Sequence, residues 1–447
     1  MQQKAPLLGS RPFHVTNRQV MAIAIPMTLA SLTTPLLGIV DTAVVGQFGD
    51  AALLGGLAIG ATFFDFVFTP FNFLRSGTSG LIAQAFGRGD ALEERAAFWR
   101  AFVIAAISGF ALVLLAPLIA AVGEWFMNAD PALTTAMDVY VRVRLISAPA
   151  ALINYTILGY FLGRGEAGVG LCLQFLLNGM NIALCIVLGL YLGWGVAGVA
   201  WATVCSELAA VIAGMVVLIG RFRALPKISP RHTFDIAAIR WMLHVNLGIM
   251  IRSLVIMGAY ILFARQGAQL GTLTLAANAV LMHFVDVAYY FLGGFESAAQ
   301  QLAGRAVGAR DQPAFLRALR LTAGWGFSLA GFASVLAFAF GEQLIGAITS
   351  AADVRAEAVV YLPWAAFAAP SGVLAFQMNG VFIGASWSRD MCNAMLISFA
   401  VFIAALFAFG HIFGNDGLWA AFHIFLLLRG VSLLSIMRRR VRTAFVE

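Results

Sequence analysis

The chain alternates long apolar stretches with short polar ones, at intervals that suit a bilayer. Twelve stretches read as spans: 19–46, 52–75, 98–122, 138–162, 167–192, 195–219, 241–264, 271–295, 317–340, 357–384, 391–413 and 416–437. About 20 consecutive apolar residues cross the hydrocarbon core as a helix. The pattern therefore predicts an all-α integral membrane protein with twelve transmembrane helices. Basic residues gather in alternate polar stretches: at the N-terminus (Lys4, Arg11, Arg18), around Arg88, Arg95 and Arg100, and from Arg221 and Arg223 through Lys227 and Arg231 to Arg240. They return around Arg305, Arg310, Arg317 and Arg320, and in the tail from Arg438 to Arg442. The intervening turns carry Asp50, Glu124, Asp130, Glu342, Asp353 and Asp416. With twelve spans all the basic stretches fall on one side, which predicts cytoplasmic termini and an inner-membrane, multi-pass protein. Arg142 and Arg144 break the pattern near the outer end of the fourth span, where they snorkel outward or line a cavity.

The pattern also repeats. One constant, gapless offset matches Gly46 to Gly267, Asp65 to Asp286, Gly87 to Gly308, Asp90 to Asp311, Tyr140 to Tyr361, Pro149 to Pro370, Gly159 to Gly380 and Gly163 to Gly384. Gly, Pro and Asp are constrained by backbone geometry or charge, so their coincidence outweighs matches of Leu on Leu. Six spans per half is an even number, so both halves insert the same way, as two parallel six-helix lobes around a central cavity. The expected organisation is a cytoplasmic segment 1–18, a first lobe 19–219, a linker 220–240 with Pro226 and Pro230, a second lobe 241–437, and a basic tail 438–447.

Composition agrees with this class: 61% hydrophobic residues, only 11% charged, and a mean hydropathy of +0.89. Soluble chains carry about 25% charge. The net charge of +7 sits at helix ends, so it reports topology and not nucleic-acid binding. The polar segment 1–18, with no short apolar run after it, reads as lacking a cleavable signal. Cys172, Cys185, Cys205 and Cys392 all lie inside apolar runs, against disulfides and against the paired spacing of a zinc site.

Candidate chemistry lies in the polar residues within the spans. Asp41 closes the first apolar run, about 10 Å below the outer surface. A carboxylate there is costly unless it lines a cavity, so it reads as functional, with a structural, partnered Asp as the alternative. Pro26 and Pro35 interrupt the same run and predict a bent or hinged helix. On the fifth span Asn178, Asn181 and Cys185 share one face; on the sixth, Thr203 and Glu207 are four apart, about 12 and 18 Å deep. Together with Asn154 of the fourth span they could form one polar pocket, or serve only as interhelical hydrogen bonds. Glu207 is either a second coupling acid or a structural acid paired with Arg142 or Arg144. Asp65 and Asp286 occupy matching places among aromatics, where they attract an organic cation or hold a gate. Arg252 stands as the only strong base deep in the second half, to pair with Asp286 or Glu296 or to bind an anionic group.

These residues resemble the multidrug and toxic compound extrusion transporters, in the branch of the DNA-damage-inducible protein F group. The resemblance is carried by Ile25-Pro26, Val40-Asp41-Thr42 to Gly46, Gln84 to Asp90, Leu162-Gly163-Arg164-Gly165, and Gly193 to Ala200 with Ala202-Thr203. It implies cation-driven efflux by two six-helix lobes with alternating access. The family's first-lobe coupling site uses an Asp, an Asn and an Asp four apart, and a Thr; Asp41, Asn181 and Thr203 match. Cys185 stands where the second Asp is usual, and Gly248 to Arg252 places a base where some branches have an acid. Both departures weigh against sodium, which prefers hard oxygen ligands. They favour proton coupling, with Glu207 in place of the lost carboxylate.

The expected function is thus a proton-coupled antiporter for amphipathic or cationic organic compounds, monomeric, needing no cofactor beyond H+ (or Na+, the alternative) and no nucleic-acid partner. A lipid-linked precursor flippase of the same superfamily would want a strongly cationic cavity. A major-facilitator-type carrier would want a basic loop after the second span. A membrane-embedded enzyme would want a clustered constellation, whereas His244, His283, His411 and His423 are scattered. No Gly-x-x-x-x-Gly-Lys loop occurs, which argues against ATP as the direct energy source.

Overall fold

The computed structural model describes residues 13–127, 130–223 and 229–445, and every regular element in them is helical. Lys4, Arg11, Pro226 and Lys227 lie outside the described residues. Helix α1 (Asn17–Gly46) opens with a reciprocal cap: Gln19 N–H donates to the Thr16 hydroxyl and Thr16 N–H to the Gln19 side chain. The second span comprises α2 (Ala51–Phe68), a tight turn at Thr69–Asn72 and α3 (Phe73–Arg88). Next come α4 (Ala91–Leu114) and α5 (Ala116–Met127), then α6 (Pro131–Ile146) and α7 (Ala148–Gly163). Helix α8 (Ala167–Leu184) runs on as a π-helical turn over Cys185–Tyr191, and α9 (Gly195–Phe222) completes the first half. After the short α10 (Pro230–Thr233), the second half consists of α11 (Ile236–Leu270), α12 (Thr272–Gly308), α13 (Gln312–Ile348), α14 (Ala352–Gly384), α15 (Ser388–Gly410) and α16 (Ile412–Ala444).

Eleven helices among the described residues are long and apolar enough to cross a membrane, and the pair α6 and α7, bent by 53° at Ser147, makes the twelfth. All twelve predicted spans are present. The fourth is broken where Pro149 removes a backbone donor. Helices also extend well past the predicted apolar runs: Gln84 to Arg88 belong to α3, and Arg95 and Arg100 to α4, so the predicted polar loop shrinks to a turn at Gly89-Asp90. Asp90 caps α4 through Glu93 N–H at 3.0 Å, and its repeat partner Asp311 caps α13 through Ala314 N–H at 2.9 Å.

The duplication is visible in the packing. A Cβ on Gly159 would meet the Arg75 carbonyl, and one on Gly163 the Ser79 carbonyl. At the equivalent places of the second half, Gly380 faces the Glu296 carbonyl and Gly384 the Gln300 carbonyl. Close backbone approach at small residues is how membrane helices gain contact without a hydrophobic driving force.

The chain divides into two compact units. One takes in the described residues of Met1–Thr28, Ala83–Gly89 and His244–Glu447, the other Leu29–Ile82 and Asp90–Leu243. Helix α1 is continuous through Pro26 and Pro35 and passes from one unit to the other after Thr28. The first unit is centred on Phe263, Leu281, Phe402, Trp419, Phe422 and Phe425. The second has an aromatic cluster of Phe98, Tyr160, Phe161 and Phe222.

Candidate functional site

Four helices of the Leu29–Leu243 unit bring most of the predicted polar residues together. Asp41, on the last turns of α1, accepts a hydrogen bond from the Cys185 thiol at 3.3 Å. Cys185 is fully buried at the first residue of the π-helical turn. Such turns widen the helix and often mark functional positions. The same turn contains Gly189, whose backbone Gly198 of α9 approaches closely, drawing α8 and α9 together. That approach sets Asn181 against Thr203: the Asn181 amide donates to the Thr203 hydroxyl at 2.8 Å, and the Thr203 hydroxyl donates to Val199 O at 3.3 Å. The Asn181 carbonyl oxygen is buried with no hydrogen-bond partner among the described residues. One turn earlier Asn178 donates to the Thr33 hydroxyl at 2.5 Å, tying α8 to α1.

A second group surrounds Arg144. Its guanidinium donates to the Tyr140 hydroxyl at 2.9 Å, sits 3.9 Å from the Phe64 ring centroid, and lies 4.0 Å from the Glu207 carboxylate. Asp41 and Asp65 are both within its electrostatic range. Arg144 therefore stands among three acids, just before the break at Ser147. Its Nε and Glu207 Oε2 are both buried without hydrogen-bond partners among the described residues, so the pair is loosely engaged. Asn154 donates to the Glu207 backbone carbonyl at 3.0 Å and steadies α7 on α9.

Of the sequence candidates, Asp41 meets Cys185, Asn181 one turn earlier on α8 meets Thr203, Asn178 meets Thr33, and Glu207 and Asp65 gather about Arg144. Arg142 pairs with Asp138 at 2.6 Å and takes no part. Asp286 and Arg252 lie in the other unit. There, Arg252 is not alone as a deep base: Arg429 of α16 is 5% exposed and lies near it. A single Arg amid a long apolar helix carries no periodic signal, but its charge in the middle of a span was the available clue.

The MatE family profile matches residues 26–187 and 249–409. The chain belongs to the MatE family. The two matched stretches fall in the two sequence repeats, so the duplication is a property of the family unit itself. Among its relatives is the DNA damage-inducible protein F of Escherichia coli strain K12, 33% identical over 433 residues, covering 96% of this chain and 93% of that one. A probable multidrug resistance protein NorM of Rhizobium meliloti is 25% identical over 443 residues, with 93% and 91% covered. The fold matches a crystal structure of a MATE protein in the straight conformation, with a TM-score of 0.87 at 18% identity and 96% of each chain covered. This MatE protein is accordingly a multi-pass membrane transporter and not an enzyme.

Proposed function

We propose that this MatE protein is an antiporter that exports amphipathic, chiefly cationic, organic compounds in exchange for protons, with Asp41 as the coupling carboxylate. The observation that carries the reading is the Asp41–Cys185 contact. The group that donates to Asp41 is a thiol, soft and a weak donor, where a sodium site needs further hard oxygens. A carboxylate whose donor is a thiol, with the Asn181–Thr203 pair one turn along the same helix, is suited to gaining and losing a proton.

Arg144 completes the arrangement. As a permanently charged guanidinium it offsets Glu207, Asp65 and Asp41 while these are ionised. When Asp41 takes up a proton, the balance among the three acids and Arg144 changes. A bound organic cation changes it in the same sense, so proton and substrate compete for the same negative charge. The rings of Phe64 and Tyr140 lie against the Arg144 guanidinium and hold it in place. The basic stretches of the sequence place both termini on the cytoplasmic side in this reading. The relative named a probable multidrug resistance protein supports the choice of substrate class.

The test is ethidium export from proteoliposomes holding the purified protein, with a proton gradient and a sodium gradient imposed in turn. Export driven by the proton gradient alone is expected. Export driven only by sodium overturns the coupling assignment.

A further inference from the structure

The second half holds a charged cluster that the Asp41 site does not use. Arg252 on α11 and Glu296 on α12 are 3.9 Å apart. Arg429 on α16 lies over the Phe425 ring, 5.1 Å from its centroid, and within electrostatic range of Arg252, Glu296, Tyr260 and Tyr289. Asp286 adjoins from the side of the two tyrosines. All these residues belong to one compact unit. Arg429 is 5% exposed, and its Nε and the Tyr289 hydroxyl are buried with no hydrogen-bond partner among the described residues.

A guanidinium keeps its charge even out of water and offers five donors in a planar fork. Glu296 stands 3.9 Å from Arg252 and is within electrostatic range of Arg429. The Nε donor of Arg429 is left over among the described residues, and a buried guanidinium with an unmet donor is costly. The complement of a guanidinium fork is an oxyanion, which it binds through two parallel hydrogen bonds. Room exists on this stretch of α12: a Cβ placed on Gly293, one turn before Glu296, would meet nothing within 4 Å. The Tyr289 and Phe376 rings, 4.7 Å apart, and Phe425 supply apolar walls.

We propose that this cluster is a binding site for the carboxylate, sulfonate or phosphate head of an amphipathic organic anion. It is built by Arg429, Arg252 and Tyr289 and is independent of the Asp41 carboxylate. The protein then handles anionic amphiphiles as well as cationic ones, through groups of opposite sign in its two halves.

The experiment titrates the full-length protein in detergent with 11-(dansylamino)undecanoic acid and follows dansyl fluorescence. Arg429→Gln and Arg252→Gln are each expected to raise the Kd at least about tenfold, the scale of a lost charge-assisted hydrogen bond. Asp41→Asn is expected to bind the anion as the unaltered protein does while losing ethidium export. Monodisperse Gln variants that bind with unchanged affinity overturn the proposal, as does loss of anion binding in Asp41→Asn. If the Gln variants do not fold, Arg429→Lys keeps the charge without the fork; several-fold weaker binding is expected, and unchanged affinity again overturns the site. Normal ethidium export by Asp41→Asn would sink the coupling assignment and leave the anion site standing. Repeating the titration in nanodiscs separates two sources of oxyanion. Weaker probe binding in phosphatidylglycerol than in phosphatidylcholine, seen with Arg429 and lost in Arg429→Gln, assigns a lipid headgroup, and equal binding in both lipids assigns a soluble anion.

Discussion

The polar site of the first half and the equivalent place in the second lie on corresponding spans and differ in chemistry. Under the repeat, Asp41 corresponds to Leu262, Asn178 to Phe399, Asn181 to Phe402, Cys185 to Leu406, Thr203 to Ile424 and Arg144 to Ala365. The six replacements belong to, or pack on, the apolar core of the second half. The helix ends repeat the contrast. Arg164 is ion-paired with Glu94 and with Glu166, and Glu166 also with Arg221. At the places of Glu94 and Glu166 the second half has Phe315 and Trp387, whose rings lie 6.1 Å apart. The glycine-to-carbonyl approaches, by contrast, are kept in both halves. Backbone crossings thus specify the bundle, and the polar groups are additions to it. An apolar filling of the same bundle is physically sufficient, since buried charged networks seldom add net stability. The network in the first half is therefore there for what it does.

The comparison breaks first at Asp41. Asp41→Asn keeps shape and hydrogen bonding but exchanges no proton, so proton-driven export should fall at least about a hundredfold, the range of a lost general acid–base group. Expression and the elution profile should stay unchanged. Export at the original rate would make Asp41 a structural residue and reduce the contrast to packing.

The mirror-image change tests the apolar counterpart of the site. Phe402→Asn puts the first half's amide into a fully buried position of the second-half core. It creates a cavity and an unsatisfied amide together, at a cost of about 3–5 kcal/mol. The thermal transition in detergent should drop sharply. An unchanged melting curve would show that the two fillings are interchangeable.

Glu207 sharpens the comparison within the polar half. Glu207→Gln should lower transport about tenfold, a loss of ~1.4 kcal/mol, and alter the pH–rate profile by unbalancing Arg144. Adding Cys185→Asp should recover part of the rate, since it restores a carboxylate beside Asp41. A wild-type profile in the single variant would make Glu207 a structural acid. The smallest effect is expected at Cys185 itself. Serine keeps a donor to Asp41, so Cys185→Ser should transport within about twofold of the unaltered protein, the size of one exchanged neutral hydrogen bond. Severe loss with normal expression would show that the sulfur is needed.

Much of this protein was legible in its sequence. Twelve spans follow from apolar runs of bilayer length, and the duplication follows from Gly, Pro and Asp, whose places are dictated by backbone geometry. The shared face of Asn178, Asn181 and Cys185 follows from helical spacing alone. Tertiary structure decided which faces meet. Spacing of three or four places residues on one side of a helix but does not say which helix lies opposite, so the Cys185–Asp41 bond, the Asn178–Thr33 bond and the gathering of Glu207 and Asp65 about Arg144 had no local signal. The break at Ser147 has a local cause in Pro149, but its repeat partner Pro370 lies inside the continuous α14, so the surrounding packing decides whether such a proline breaks the span. Arg429 shows the limit best: its charge is plain in the sequence, and its nearness to Arg252 arises only when α11, α12 and α16 pack, because contact between residues far apart in the chain is a property of the bundle.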